Sequence, residues 1–125
     1  LPHEATPLGD EPAGELNMVL ATIAIVRLML PKALLPSTTA LATLHPRGRL
    51  EGILSGANVI MPNVGEVNYR KDYQLYNGKP DLDENAPEVR AKLLESLAAI
   101  GEVPRFNVPG DPLHYAVRTG KNEKR

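Results

Sequence analysis

The sequence contains no cysteine. That excludes a disulfide framework, a cysteine-ligated zinc and any iron–sulfur ligand supplied by this stretch, and it is compatible with a reducing compartment. An excess of either charge is missing too. Fourteen Lys and Arg face fifteen Asp and Glu, for a net charge of −1, so no global positive field exists to collect phosphates or to hold an acidic membrane surface. Neither nucleic acid nor a membrane is an expected partner. The longest apolar run, Leu16 to Leu30, is interrupted by Asn17, Thr22 and Arg27 and stops at Pro31, short of the ~20 residues a bilayer needs. It reads as a buried helix. No basic leader precedes it, and the expected location is cytoplasmic. P-loop, GxGxxG, GxSxG and HExxH motifs are all missing, as are internal repeats and low-complexity tracts.

What is present is a chain of 125 residues, 42% hydrophobic and 23% charged, the size and composition of one ordinary globular domain. It opens on Leu1-Pro2-His3 rather than on Met, as though entered partway through an element, and a fragment or processed chain is the expectation. After a turn-rich lead, Leu16, Val19, Leu20, Ile23, Val26 and Leu30 recur at helical spacing from Glu15 up to Pro31. Ala33 to Ala40 reads as a short strand, and Pro46 suits the first position of a helix running to about Ser55 and closing on Gly56. Ala57 to Met61 reads as a second strand stopped by Pro62, and Val67 to Tyr76 as a third helix before the turn at Asn77-Gly78. Ala86 to Ile100 is a further helix, with Pro87 in its first turn, Val89, Leu93, Leu97 and Ile100 on one face, a Glu88/Lys92 pair at i,i+4, and Gly101 past its end. From Glu102 onward three prolines and two glycines deny any long regular element.

Helices alternating with short apolar strands indicate an α/β chain with a parallel sheet. Only two or three strands are visible, whereas a complete (β/α)8 barrel takes roughly 250 residues. The expected architecture is therefore the C-terminal units of a TIM-type (β/α)8 barrel over residues 1–79, followed by a helical extension and irregular tail over 80–125.

Few residues are placed to carry chemistry. His3, His45 and His114 are far apart, and none has an acidic or histidine partner at i+3 or i+4, so no metal site is expected. Ser37-Thr38-Thr39 falls at the expected C-terminal end of a strand, where barrels build their active sites, and two adjacent hydroxyls with nearby backbone N–H groups can hold a carboxylate or other small anion. β-Branched strand filling accounts for the same residues equally well. Met61-Pro62-Asn63 ends the next strand at the same level. Tyr69, Tyr73 and Tyr76 then follow at i, i+4 and i+7, a stripe that serves as core or as the lining of a cofactor pocket. Arg70 and Lys71 fall on the opposite faces and are expected in solvent.

Taken in order and spacing, Leu1-Pro2-His3 with Thr6-Pro7-Leu8, Arg27 to Pro31, Pro36 to Leu41, Gly56-Ala57-Asn58-Val59-Ile60-Met61-Pro62-Asn63, Tyr69-Arg70, and Tyr73 to Lys79 closely resemble the C-terminal part of the HydE-type radical S-adenosylmethionine maturases of iron-only hydrogenases. Biotin synthase and methylornithine synthase are looser relatives. The resemblance implies a cytoplasmic radical enzyme of hydrogenase maturation, in which a [4Fe-4S] cluster reductively cleaves S-adenosylmethionine to a 5′-deoxyadenosyl radical inside a barrel. The cluster would be bound by a CxxxCxxC outside this segment, so the segment alone is expected to be inactive. Leu1, Met61 and Tyr73 would border S-adenosylmethionine, while Thr38, Thr39 and Ala40 would form a small-anion or substrate pocket with Tyr76 nearby. The implied partners are the N-terminal half of the barrel, in the same or another chain, a small-molecule substrate, and other hydrogenase maturases. Ala42 departs from the family's usual glycine. The alternatives are another biotin synthase-like enzyme such as methylornithine synthase, or a non-catalytic βα module that pairs with another chain.

Overall fold

A computed structural model describes residues 1–70, 72, 76, 78–80, 83–106, 110–112, 114, 115 and 118. Its elements run α1 (Leu16–Met29), β1 (Pro36–Ser37), α2 (Thr39–Leu44), α3 (Gly48–Leu54), β2 (Val59–Ile60), α4 (Val67–Arg70) and α5 (Ala86–Ala99). The two strands pair in parallel, Pro36 opposite Val59 and Ser37 opposite Ile60. The α/β class read from the sequence is borne out at this level, as a mainly helical chain around a two-stranded parallel sheet. Among the described residues no helix is long and apolar enough to cross a membrane.

Helix α1 forms where the apolar periodicity places it. It stops where the Leu30 N–H closes on the Val26 carbonyl at 2.8 Å and Pro31 has no N–H to continue the ladder. Its environment is not the buried one expected. None of its residues is buried, and Met18, Ile25, Leu28 and Met29 are 57–83% exposed. The helix is apolar around most of its circumference, but among the described elements its main neighbour is α3, so one side packs while the rest stays exposed.

The strands are shorter than the alternation suggested, and an element is inserted between them. The expected strand over Ala33–Ala40 is cut to Pro36–Ser37, because Thr38 turns the chain as an extended N-cap and Thr39 begins α2. The sequence Ala40-Leu41-Ala42 favours helix, and in that form Leu41 becomes the most deeply buried apolar side chain, 1% exposed. Helix α3 starts two residues after Pro46 and packs on α2 and β1 through a glycine face. A methyl group at Gly48 would lie 1.9 Å from the Leu41 carbonyl oxygen, and one at Gly52 would lie 2.5 Å from Ser37 Oγ. The core is thus a small knot of Ser37, Leu41, Gly48, Gly52 and Ala57. Asn58 lengthens the two-residue ladder: its Oδ1 accepts from the Leu35 N–H at 2.8 Å, while its own N–H and that of Val59 donate to the Leu35 carbonyl.

Beyond β2 two further expectations fail. Helix α4 ends at Arg70 rather than Tyr76, with the Asp72 N–H turning back to the Tyr69 carbonyl. Val, Asn and Tyr are weak helix formers, and four residues barely exceed one turn. The tyrosine stripe is therefore not assembled on one helix. Tyr69 lies in α4 and is 70% exposed, Tyr76 sits in a bend beyond it, and Tyr73 is outside the described residues, as is Lys71. Arg70, expected in solvent, is 3% exposed. With the helix this short, the face count that put it opposite the tyrosines does not apply. Its guanidinium instead donates from Nε to the Gly65 carbonyl at 2.8 Å and from Nη1 to the Glu84 carbonyl.

Helix α5 follows its sequence signals closely. The Asn85 side chain accepts from the Glu88 N–H, and the Glu88 carboxylate accepts from the Asn85 N–H, both at 3.0 Å, a reciprocal capping box. At the other end Gly101, at φ +77°, lets the Glu102 N–H reach the Leu97 carbonyl. Val89 and Leu97 are buried. The expected Glu88/Lys92 pair does not form. Glu88 is held in the cap, and Lys92 pairs with Glu84 at 2.7 Å.

Candidate functional site

A parallel pair brings the C-terminal ends of its two strands to one edge. Here that edge carries Thr38-Thr39-Ala40 after β1 and Met61-Pro62-Asn63 after β2, aligned by the Ser37–Ile60 register. The first group sits differently from the strand-end pattern expected. Thr38 is the extended N-cap of α2, with no side-chain capping bond, and Thr39 and Ala40 lie in its first turn. Both threonines accordingly leave the period-two alternation that would have turned one of them away.

The three adjacent hydroxyls have separate roles. Ser37, 1% exposed, donates from Oγ to the Arg49 carbonyl at 2.7 Å and is consumed in joining β1 to α3. Thr39 Oγ1 lies 2.8 Å from the Tyr76 hydroxyl, in a partly buried contact spanning 37 residues. Thr43, one turn on, donates to the Thr39 carbonyl at 3.3 Å, and a Cβ at Gly78 would stand 3.4 Å from the Thr43 γ-methyl. The bend carrying Tyr76 therefore rests on α2 at two successive turns. Thr38 is half-buried and stands between β1 and the engaged Thr39.

On the β2 side Met61 is 60% exposed, an apolar surface beside polar neighbours. Asn63 turns the chain locally by accepting from the Gly65 N–H at 3.3 Å. Leu1 is not drawn into this group by any strand register: it opens the lead before α1 and is 39% exposed. Tyr73 lies outside the described residues. Of the residues singled out in the sequence, the fold therefore joins Thr39 to Tyr76 directly, puts Thr38 and Met61 each one residue past the paired strand ends, and places Ala40 in the first turn of α2.

Among the described residues no three His, Cys, Asp or Glu side chains approach closely enough to hold a metal ion. With no cysteine in the chain, an iron–sulfur cluster does not fit the donors present, and its ligands would have to come from elsewhere. The strand-end edge fits one part of a bound metabolite better: hydroxyl and first-turn N–H donors for an anionic group, with an apolar methionine beside them.

Sequence reasoning missed two arginines. Arg27 donates from Nε to the Gly56 carbonyl at 2.8 Å and from Nη1 to the Pro31 and Leu30 carbonyls at 2.8 and 3.3 Å, tying the end of α1 to the start of the β2 segment. Its signal was legible in retrospect, since a lone cation in an apolar helix needs partners. Arg70 gave no such signal, because its burial depends on where α4 stops.

No family model matches the chain. The chain is similar to the [FeFe] hydrogenase maturase subunit HydE of Thermotoga maritima, with 38% identity over 104 residues. That match takes in 83% of this chain and 30% of the maturase. It bears out the HydE-type resemblance seen in the sequence motifs.

Proposed function

We propose that this chain is the C-terminal part of a radical S-adenosylmethionine enzyme acting in assembly of the iron-only hydrogenase cofactor. The observation that carries the proposal is the HydE likeness over 83% of the chain. The parallel strand ends supply the local chemistry. In this reading β1 and β2 are neighbouring strands of a (β/α) barrel, residues 1–79 belong to that barrel, and 80–125 form an extension over it. The exposed outer surface of α1 and a two-stranded parallel sheet with no further strand among the described residues support the barrel reading, because such sheets are normally covered on both faces and flanked by further strands.

Within the barrel mouth, Thr38, Thr39 and Ala40 bind the small anionic part of the substrate. Thr38 supplies a hydroxyl, and the first turn of α2 supplies backbone donors. Tyr76 bounds the pocket through its bond to Thr39. Met61, with Leu1 and Tyr73, lines the S-adenosylmethionine side. When bound, that cofactor and a [4Fe-4S] cluster on residues outside this segment supply one-electron reductive cleavage. The residues of this chain orient the substrate and exclude water. The whole enzyme would act in the cytoplasm alongside other maturases.

The test is Thr38→Val and Thr39→Val in the full-length protein. Valine keeps the β-branched shape and removes only the hydroxyl. Loss of a donor to a charged ligand, roughly 1.5–3 kcal/mol, gives an affinity loss on the order of tenfold to a hundredfold. S-Adenosylmethionine cleavage is followed as 5′-deoxyadenosine release. A protein that releases none after iron reconstitution refutes the enzyme reading, and unaltered substrate turnover in both variants refutes the pocket assignment.

A further inference from the structure

Arg70 is the most buried charged side chain described, at 3% exposure, yet nothing in the pocket chemistry uses it. Arginine is rarely so deeply buried unless its donors are committed. Here Nε takes the Gly65 carbonyl, five residues back, at 2.8 Å, and Nη1 takes the Glu84 carbonyl, fourteen residues on. The two acceptors bracket the stretch that contains Tyr76. That stretch touches α2 where the Tyr76 hydroxyl meets Thr39 Oγ1 at 2.8 Å and where Gly78 approaches the Thr43 methyl. A planar guanidinium is suited to holding two backbone carbonyls in fixed relation, whereas an ammonium is a point donor on a flexible stem.

We infer that Arg70 is a positioning residue: by gripping both ends of the 65–84 stretch it sets where the Tyr76 hydroxyl stands against Thr39, and so how much room is left beside Thr38. Its consequence for specificity rests on the reading of Thr38–Ala40 as the small-anion pocket. The clamp itself depends on no ligand. Removing it releases Tyr76 from Thr39 without touching either residue.

The full-length protein carrying 3-fluorotyrosine at position 76 reports this directly through its 19F resonance, with no cofactor or substrate added. Thr39→Val is expected to move the resonance by more than its linewidth. Arg70→Met is expected to move it as well, and to leave Thr39→Val with no further effect when the two are combined. Arg70→Lys, which keeps the charge and one donor, is expected to fall between wild type and Arg70→Met. Gly101→Ala is the control for general loosening, because at φ +77° it strains the far end of α5 without touching either clamp acceptor, and it should leave the resonance in place. A resonance unmoved in Arg70→Met, or a full Thr39→Val shift persisting in that background, overturns the clamp. If Arg70→Met does not fold, an unmoved resonance in Arg70→Lys overturns it equally. Absence of S-adenosylmethionine cleavage in the wild type would instead strike the enzyme reading, leaving the fluorine result to stand by itself.

Discussion

Replacing Gly56 with alanine adds one methyl group where α1, α3 and the β2 segment meet, and its cost can be worked from geometry. Gly56 has φ +115°, and the new Cβ would lie 2.8 Å from Arg27 Cβ and 2.9 Å from Arg27 Cγ, against roughly 3.5–4.0 Å for comfortable carbon contacts. The backbone strain of a side chain in this region is about 1–3 kcal/mol. Neither contacted atom is the free end of a side chain, so relief requires Arg27 to swing away from the Gly56 carbonyl it now holds at 2.8 Å. A charged donor's bond is worth about 1.5–3 kcal/mol, and the lower figure applies here because Arg27 is only half-buried. The expected loss is about 3 kcal/mol, close to a hundredfold in an opening equilibrium. Native-state hydrogen exchange in the full-length protein reads it at Ala57 and Val59, whose N–H groups donate to the Gly52 and Leu35 carbonyls at 3.0 and 3.1 Å. With Arg27→Ala already present the bond to the Gly56 carbonyl and the 2.9 Å Cγ contact are gone while the 2.8 Å Cβ contact stays, so Gly56→Ala should then cost the strain and that one contact, without the lost hydrogen bond. Exchange within about threefold of wild type, under 1 kcal/mol, would refute the reasoning.

Ser37→Ala should destabilise the β1–α3 joint by about 1–3 kcal/mol, because it leaves the partly buried Arg49 carbonyl without its 2.7 Å donor; slower urea unfolding in the variant would contradict this. Asn85→Ala should cost about 1 kcal/mol at the start of α5 by removing the capping box, seen as faster amide exchange at Glu88 and Val89 with the C-terminal turn unaffected. Residues 1–125 expressed alone should self-associate, because Ile25, Leu28 and Met29 are 57%, 83% and 73% exposed on one helix and, among the described residues, neither strand has a second neighbour. A monomeric sedimentation profile with a sharp cooperative melt would count against that.

The parts of the fold legible in the sequence are those fixed by neighbours in the chain. Helix α5 carries its own instructions in Asn85, Pro87, Glu88 and Gly101. Helix α1 is written in its apolar spacing and in Pro31. The pairing of Pro36–Ser37 with Val59–Ile60 also follows from local signals, two short apolar stretches separated by helix. What escaped depends on contacts made at a distance. Thr39 and Ala40 read as the tail of a strand until Leu41 is seen to need the space opposite Gly48 and Gly52. The end of α4 has no capping signature, and with it went the tyrosine stripe and the solvent placement of Arg70. At the candidate site, the strand-end position of Thr38 and Met61 could be read ahead, because parallel strands must align their ends. The Thr39–Tyr76 bond could not, since its partners are 37 residues apart and meet only through the course of the intervening loop.

The side chain of Asn58 has a bearing on chemical ageing. Because the Leu35 N–H can only donate, the group facing it at 2.8 Å must be the Asn58 oxygen, and the amide nitrogen contributes nothing to that bond. Asn58 is also exposed, so water can reach it. Simple hydrolysis to aspartate would therefore keep an oxygen acceptor in place and strengthen it with a charge. Rearrangement to isoaspartate is a different matter. It would insert an extra carbon into the main chain one residue before Val59, displacing the Val59 N–H from the Leu35 carbonyl and breaking the register at its first pair. The joint can thus tolerate one product of asparagine decay and not the other.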